Sequence, residues 1–160
     1  CSMLYPSPWF NEGHATFFEG LEFKNRSVEL EATQRLADFN ACTGGNISAN
    51  MLTKLLQMSY ENFYSKDSFP RNYSSAWAIT YFMNKGAPVM NKPEYTQIPF
   101  KYYEALNKLK NPEKATEEVW KDIDIEAFIS DMGKFYSSKK LMKKAEKYDF
   151  MKNKELLKTP

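Results

Sequence analysis

Glu12 and Glu19 stand seven residues apart in the stretch Trp9-Phe10-Asn11-Glu12-Gly13-His14-Ala15-Thr16-Phe17-Phe18-Glu19, among aromatic and small residues. Carboxylates in such surroundings are costly to bury unless something cationic meets them. If the stretch is helical, Glu19 lies about 20° from Glu12 around the axis, and Thr16 lies near both. Phe10, Phe17 and Leu21 take the far side, so one helix face presents Glu12, Thr16 and Glu19. The plain structural reading is a core helix whose acids reach a Lys or Arg. His14, two residues beyond Glu12, is turned about 200° away and cannot share a ligand with it.

The residue order adds a second reading. Trp9-Phe10-Asn11-Glu12-Gly13-His14, with Glu19 seven positions after Glu12, resembles the second zinc-binding segment of the gluzincin metallopeptidases. It is most similar to the aminopeptidase and leukotriene-hydrolase branch, with its Trp-Leu-Asn-Glu-Gly. It also resembles uncharacterised bacterial gluzincin-like domains that carry Trp-Leu-x-Glu-Gly-Leu-Ala. The resemblance implies Glu12 as the third zinc ligand and Glu19 as a carboxylate supporting the site. It places the other two ligands on the histidines of an H-E-x-x-H helix about twenty residues upstream, whose Glu is the general base.

That upstream helix is not in this sequence. Eleven residues precede Glu12, His14 is the single histidine, and Ala15 follows it where H-E-x-x-H requires Glu. A three-ligand zinc site therefore cannot be assembled from these residues. The chain begins with Cys1 rather than Met. The expectation is a piece of a longer metallopeptidase, beginning just after its first metal-binding helix. The N-terminal half of the same protein is then its partner, and zinc is a cofactor of the intact parent but not of this chain alone. A second account makes Cys1 the lipidated terminus of a bacterial lipoprotein. The domain would then be a pseudoenzyme or a non-catalytic helical binding domain. The expected location is outside the cytoplasm or on the cell surface of a bacterium.

The elements that must position these residues read as helices, because no segment sustains strand alternation. The first helix begins near Ser7, with Pro8 in its first turn, and ends near Gly20–Phe23. A second runs from Ser27 to Asn40, with Val28, Leu36 and Phe39 as apolar positions and Gly44-Gly45 as its stop. Ser48 caps a third, with Met51, Leu52, Leu55 and Leu56 as its buried stripe. The segment Tyr60 to Tyr64 is short enough to be a single helical turn. The fourth long helix opens at Pro70, ends at Gly86 and is apolar on nearly every side, which belongs at the centre of a domain. Ala87 to Pro99 reads as a surface loop, and helices resume over Phe100–Leu109, Lys114–Lys121 and Ile125–Ser137, the last capped by Asp124. The expected fold class is all-α, a multi-helix bundle resembling the C-terminal helical subdomain of gluzincins. The expected domains are residues 1–138, the helical gluzincin-like part, and 139–160, a Lys-rich terminal helix or tail.

Tyr73 stands just inside the fourth long helix, 61 residues after Glu12. In the aminopeptidase branch a catalytic Tyr follows the Glu ligand at about this interval. The resemblance therefore implies a phenol able to donate to the oxyanion of a tetrahedral intermediate. The branch's Tyr-x-Lys-Gly is replaced here by Tyr73-Ser74-Ser75-Ala76, closer to the Tyr-x-x-Ala-Trp of the bacterial domains. Tyr81 competes for the role from about 80° around the helix. The acidic stretch from Glu117 to Phe128, with Phe135-Tyr136, loosely matches the closing helices of those domains. The activity implied is zinc-dependent hydrolysis of peptide bonds in a peptide or protein substrate.

Composition bounds the rest. Length suits one domain, and 42% hydrophobic with 26% charged residues is ordinary for a globular protein. No run approaches 18 consecutive apolar residues, so no membrane span is expected. Cys1 and Cys42 make no disulfide framework and lack metal-ligand spacing. Three Asn-x-Ser triplets open at Asn25, Asn46 and Asn72, near the number chance supplies in a chain rich in Asn and Ser. From Ser138 onward eight lysines face three acids, leaving −3 for the preceding residues. Leu141, Ala145 and Tyr148 form an i, i+4, i+7 stripe there, which fits an amphipathic helix. No aromatic-basic platform accompanies the lysines, so no nucleic-acid partner is expected.

Overall fold

The structure is a computed structural model that describes residues 4–25 and 27–150. The fold class is all-α with one small hairpin: α1 (Pro8–Glu19), β1 (Leu21–Lys24), β2 (Ser27–Leu30), α2 (Thr33–Thr43), α3 (Ala49–Leu56), α4 (Tyr60–Phe63) and α5 (Phe69–Tyr81). A π-helical segment, Phe82–Gly86, follows, and then α6 (Ala87–Val89), α7 (Pro93–Thr96), α8 (Ile98–Leu109), α9 (Pro112–Trp120), α10 (Ile125–Ser137) and α11 (Lys139–Lys147). These elements form two compact units, one ending at Tyr81 and the other starting at Phe82. Among the described residues no helix is long and apolar enough to cross a membrane.

The first unit is organised by the packing of α1 on α5. Trp9 and Phe17 of α1 and Ala76, Trp77 and Ile79 of α5 are all buried. Contact this close requires a residue without a side chain at Gly13. A Cβ there would lie 2.7 Å from the Ala76 carbonyl oxygen and would collide with Thr80 Oγ1. Gly13 is thus a packing residue, and Ala76 and Thr80 are the small partners opposite it. At the other end of α5, buried Asn72 donates through Nδ2 to the Phe63 carbonyl and to Ser68 Oγ, 3.1 Å each. These bonds fix α4 to the start of α5, and burial of that amide removes Asn72 as a glycan acceptor.

Two elements differ from the sequence reading. Residues 21–30 form an antiparallel hairpin, with Leu21 opposite Leu30 and Lys24 opposite Ser27, where the ends of two helices were expected. Each strand is four residues, too short for alternation to stand out from helical spacing. Asn25 takes a left-handed φ of 46° at the turn, as two-residue hairpin loops require. Lys24 meets Glu22 at 2.6 Å and Glu29 at 3.5 Å on one face, while Phe23 and Val28 are exposed on the other. Helix α2 consequently begins at Thr33, whose amide donates to Glu31 Oε1 at 2.6 Å, and Gly44 ends it with φ 71°. The second difference is that Ala87–Pro99 contains α6, α7 and the start of α8 instead of a loop. Pro88, Pro93 and Pro99 each occupy the first two positions of a helix, where a missing N–H has no intrahelical partner to lose. The fourth helix also changes character at Phe82, giving way to the π-helical segment before Gly86.

Other boundaries fall as the caps dictate. Ser48 accepts from the Met51 amide, Asp124 from Ala127 and Ser138 from Leu141. The second unit closes around Phe82, Tyr95, Trp120, Phe128 and Phe135. Buried Lys85 donates to the Tyr148 and Glu146 carbonyls and so satisfies the C-terminal end of α11, whose Ala145 is buried as its stripe predicts. Asp131 is buried against Lys92 at 2.8 Å and the Tyr95 hydroxyl at 3.3 Å, and these partners hold its carboxyl below the usual range against the opposing effect of burial.

The tight α1–α5 crossing gives a direct expectation. Gly13→Ala should destabilise the protein by about 1–3 kcal/mol, because overpacking forces backbone apart instead of displacing a flexible side chain. Ala15→Gly, at an exposed position of the same helix, should cost about 1 kcal/mol from propensity alone. Urea unfolding of the two variants separates the effects, and equal losses would show that the crossing is not tight.

Candidate functional site

Helix α1 has the conformation that places Glu12, Thr16 and Glu19 on one face, but the three residues have different surroundings. Thr16 is buried and donates to the Glu12 backbone carbonyl at 2.5 Å, so it belongs to the helix and not to a site. Glu19 is exposed and pairs with Arg35 of α2 at 2.8 Å. An exposed pair of this kind contributes under about 1 kcal/mol. Glu12 is half-buried, and the donor recorded for its carboxylate is neutral. Asn11 Nδ2 donates to Glu12 Oε1 at 3.0 Å, and the Tyr64 phenol lies close enough to the same carboxylate to be influenced by its charge. Among the described residues no Lys or Arg forms an ion pair with Glu12.

Tyr64 belongs to a ladder of rings along this side of the unit. Its ring stacks on Tyr60 at 6.3 Å and 15°, and on Phe69 at 5.3 Å and 24°. Phe69 then meets Tyr73 at 5.3 Å, and the Arg35 guanidinium lies 5.3 Å from the centre of the Tyr73 ring. The spacings are helical: Tyr60 and Tyr64 are four apart around α4, and Phe69 and Tyr73 are four apart in α5. The Tyr60 hydroxyl donates to the Pro6 carbonyl at 2.9 Å, immediately before α1, while Arg35 reaches Glu19 at the far end of α1. The ladder therefore begins at one end of α1 and returns to the other, with Glu12 between. Loss of solvent around the Tyr64 ring, and then the neighbouring Glu12 carboxylate, push the phenol up to about 12. Tyr64 thus stays a hydrogen-bond donor throughout the physiological range.

Of the sequence-derived candidates, Glu12, Glu19 and Tyr73 all lie along this ladder and Tyr81 does not. Tyr81 is buried in the core, 5.1 Å from the Trp77 ring and 6.3 Å from Phe17. Tyr64, Arg35 and Asn11 were not singled out by sequence. The i, i+4 aromatic pairs could have suggested the ladder, but the approach of Arg35 from α2 has no sequence signal. Between Glu19 and Arg35 a cavity of about 370 Å³ is lined also by Gly20, Glu22, Glu31 and Gln34. Among the described residues no group of three or more His, Cys, Asp or Glu could hold a metal ion, so Glu12 stands as a single potential ligand.

His14 points away from this cluster. Its ring lies 4.3 Å from Phe10 and 6.3 Å from Phe18, along the opposite stripe of α1. Nδ1 sits 2.8 Å from the Phe10 carbonyl, an acceptor, and so must carry the proton. Nε2 is then a lone pair sealed from solvent with no hydrogen-bond partner among the described residues. Burial lowers the imidazole pKa from 6.5 to about 4, outweighing the opposing bond to Phe10. The unfolded chain therefore binds this proton more readily than the folded one. Stability from His14 is complete above about pH 6.5, falls as the pH drops toward 4, and totals about 3 kcal/mol. Urea midpoints at pH 7, 5 and 4 should show this loss in the wild type. His14→Gln should lose less over the same interval, and parallel curves for the two proteins would contradict the assignment.

No curated protein and no solved structure gives a significant match to this chain. One family does match, over residues 5–89, and it is described as a protein of unknown function, DUF1570. The matched region takes in α1 to α5, and with them Glu12, Glu19, Tyr64 and Tyr73. Since that region is more than half of the 160 residues, the chain belongs to the DUF1570 family.

Proposed function

We propose that the first unit is the ligand-bearing helical part of a zinc-dependent metallopeptidase, in which Glu12 is the third zinc ligand. The observation that carries this reading is the Glu12 carboxylate itself. It is half-buried, bonded by Asn11, and not answered by any Lys or Arg among the described residues. A carboxylate that served only the fold would be expected to resemble Glu19, closed by Arg35. Partial burial without a cation leaves the negative charge uncompensated, which a metal ion would relieve. The Glu12-Gly13 pair fits this reading too, since Gly13 brings α1 close to α5 and with it the Tyr73 side.

The remaining residues take supporting parts. Glu19 acts through Arg35, whose guanidinium also lies over the Tyr73 ring. Tyr73 is the phenol assigned to oxyanion stabilisation, a contribution of about 3–4 kcal/mol for a preorganised donor. Burial of Tyr81 against Phe17 and Trp77 favours Tyr73 for that role. Zinc in such a site polarises the scissile carbonyl and activates water. The other two ligands and the general base would come from an H-E-x-x-H helix upstream of residue 1, in the same protein. The substrate class is a peptide or protein.

Metal analysis tests the reading. Three protein ligands normally make a catalytic zinc site, and no group of three or more His, Cys, Asp or Glu that could hold a metal is found among the described residues. Each lost ligand removes several kcal/mol from a binding energy of roughly 10–16 kcal/mol, so the 160-residue chain should hold no stoichiometric zinc. A chain lengthened by about forty of its own upstream residues should hold one zinc ion, about the length needed for one helix and a connection. Glu12→Ala should remove it. Zinc retained at full stoichiometry after that change would end the metallopeptidase reading. Upstream codons without H-E-x-x-H would favour the non-catalytic binding domain.

A further inference from the structure

The hairpin at residues 21–30 leaves one edge of its sheet open. The Glu31 amide donates to the Gly20 carbonyl at 2.7 Å, which makes those residues a hydrogen-bonded pair. By alternation Glu22 with Glu29, and Lys24 with Ser27, are hydrogen-bonded pairs too. The N–H and C=O groups of Leu21 and Phe23 therefore point away from β2, to a side where no strand is paired among the described residues. Leu21 and Phe23 share one face with Val28 and Leu30, and Phe23 is 85% exposed. Glu22 and Lys24 share the other face with Glu29, so one lysine serves two acids that stand opposite each other. A lone two-stranded sheet is marginal in water, and like charges directly opposite weaken it further.

We infer that β1 is a self-association edge: two copies of this chain pair β1 with β1 antiparallel, related by a twofold axis at Phe23. In this register the two Phe23 residues form the central hydrogen-bonded pair, and Glu22 stands opposite Lys24 of the second copy, twice by symmetry. Charge selects the register. The alternative that also uses the outward groups of Leu21 and Phe23 centres on Glu22. It sets two carboxylates in the closely spaced non-hydrogen-bonded position, which is repulsive. Charged edge strands normally discourage pairing. Here the order Glu22-Phe23-Lys24, run antiparallel to itself, meets opposite signs at both ends and an aromatic ring in the middle. The product is a four-stranded sheet with Leu21, Phe23, Val28 and Leu30 of both copies on one face, and each Glu22 beside two lysines instead of one. Two edges of four residues bury less than a standard interface, so the dimer is weak and concentration-dependent. None of this depends on the assignment of Glu12.

Sedimentation equilibrium of the 160-residue chain, from about 10 µM to about 1 mM, should show a reversible monomer–dimer equilibrium. Glu22→Lys is the decisive variant. It places a cation opposite Glu29 and so favours the hairpin within one chain, while setting that cation against Lys24 of the second copy. Its dimerisation should weaken about tenfold, and that of Lys24→Glu likewise. An equimolar mixture of the two variants restores opposite charges in both pairs and should dimerise about as tightly as the wild type. Phe23→Pro removes an N–H that β2 does not use, so it should abolish association and leave the helical circular dichroism unchanged. A wild type that stays monomeric at about 1 mM overturns the inference. So does a dimer indifferent to Glu22→Lys, which places the contact elsewhere, or a mixture that associates no better than the single variants.

Discussion

The first unit depends on one close approach, the crossing of α1 and α5 at Gly13. Helices packed through ordinary side chains stay 8–10 Å apart, and a Gly facing a small residue lets them come nearer. Here the partners are the Ala76 carbonyl and Thr80, and no Cβ could be added at Gly13 without moving backbone. The crossing sets the height of Glu12 relative to α5, because Glu12 is the residue before Gly13. It also brings Phe17 to Tyr81 and leaves Trp9 with no solvent exposure. Gly13 therefore carries a packing requirement directly beside the Glu12 carboxylate.

Around that crossing the two acids of α1 are treated in opposite ways. Glu19 lies in water and pairs with Arg35, a contact that salt screens and that contributes little to folding. Glu12 lies deeper, where an amide donates to it and a phenol lies close by. Neutral donors satisfy lone pairs without supplying an opposite charge. Arg35 contributes to both ends of the arrangement. By taking Glu19 and lying over the Tyr73 ring, it is committed elsewhere and does not neutralise Glu12. His14, two residues from Glu12, sits on an aromatic stripe where burial keeps its ring neutral.

The second unit carries its buried charges differently. Asp131 is matched by Lys92 and Tyr95, and Lys85 by the carbonyls that end α11. Both serve the docking of helices, and each is satisfied within a few ångströms. Lys85 lies in the π-helical turn, where the widened ring directs its side chain into the fold. Asp131 thus has a cationic partner, whereas Lys85, like Glu12, is met by neutral groups.

The sequence alone determined the helices whose apolar spacing and caps agree, because those signals are local. Ser48 and Asp124 cap helices through bonds within three residues, and Gly44 ends α2 by its own left-handed backbone. It also determined that Glu12 and Glu19 share a face, which follows from helical period once α1 forms. The hairpin at residues 21–30 escaped it because four-residue strands carry too little alternation, and the prolines after Ala87 were ambiguous between breaking a helix and starting one. Tertiary structure decided what meets each side chain. Only folding could send Arg35 to Glu19, bring Tyr64 near Glu12, place Tyr81 in the core and leave Tyr73 at the edge. The contacts of Arg35 with Glu19, of Arg35 with Tyr73 and of Tyr81 with Phe17 join residues from 16 to 64 positions apart, and no local propensity encodes a pairing at that range.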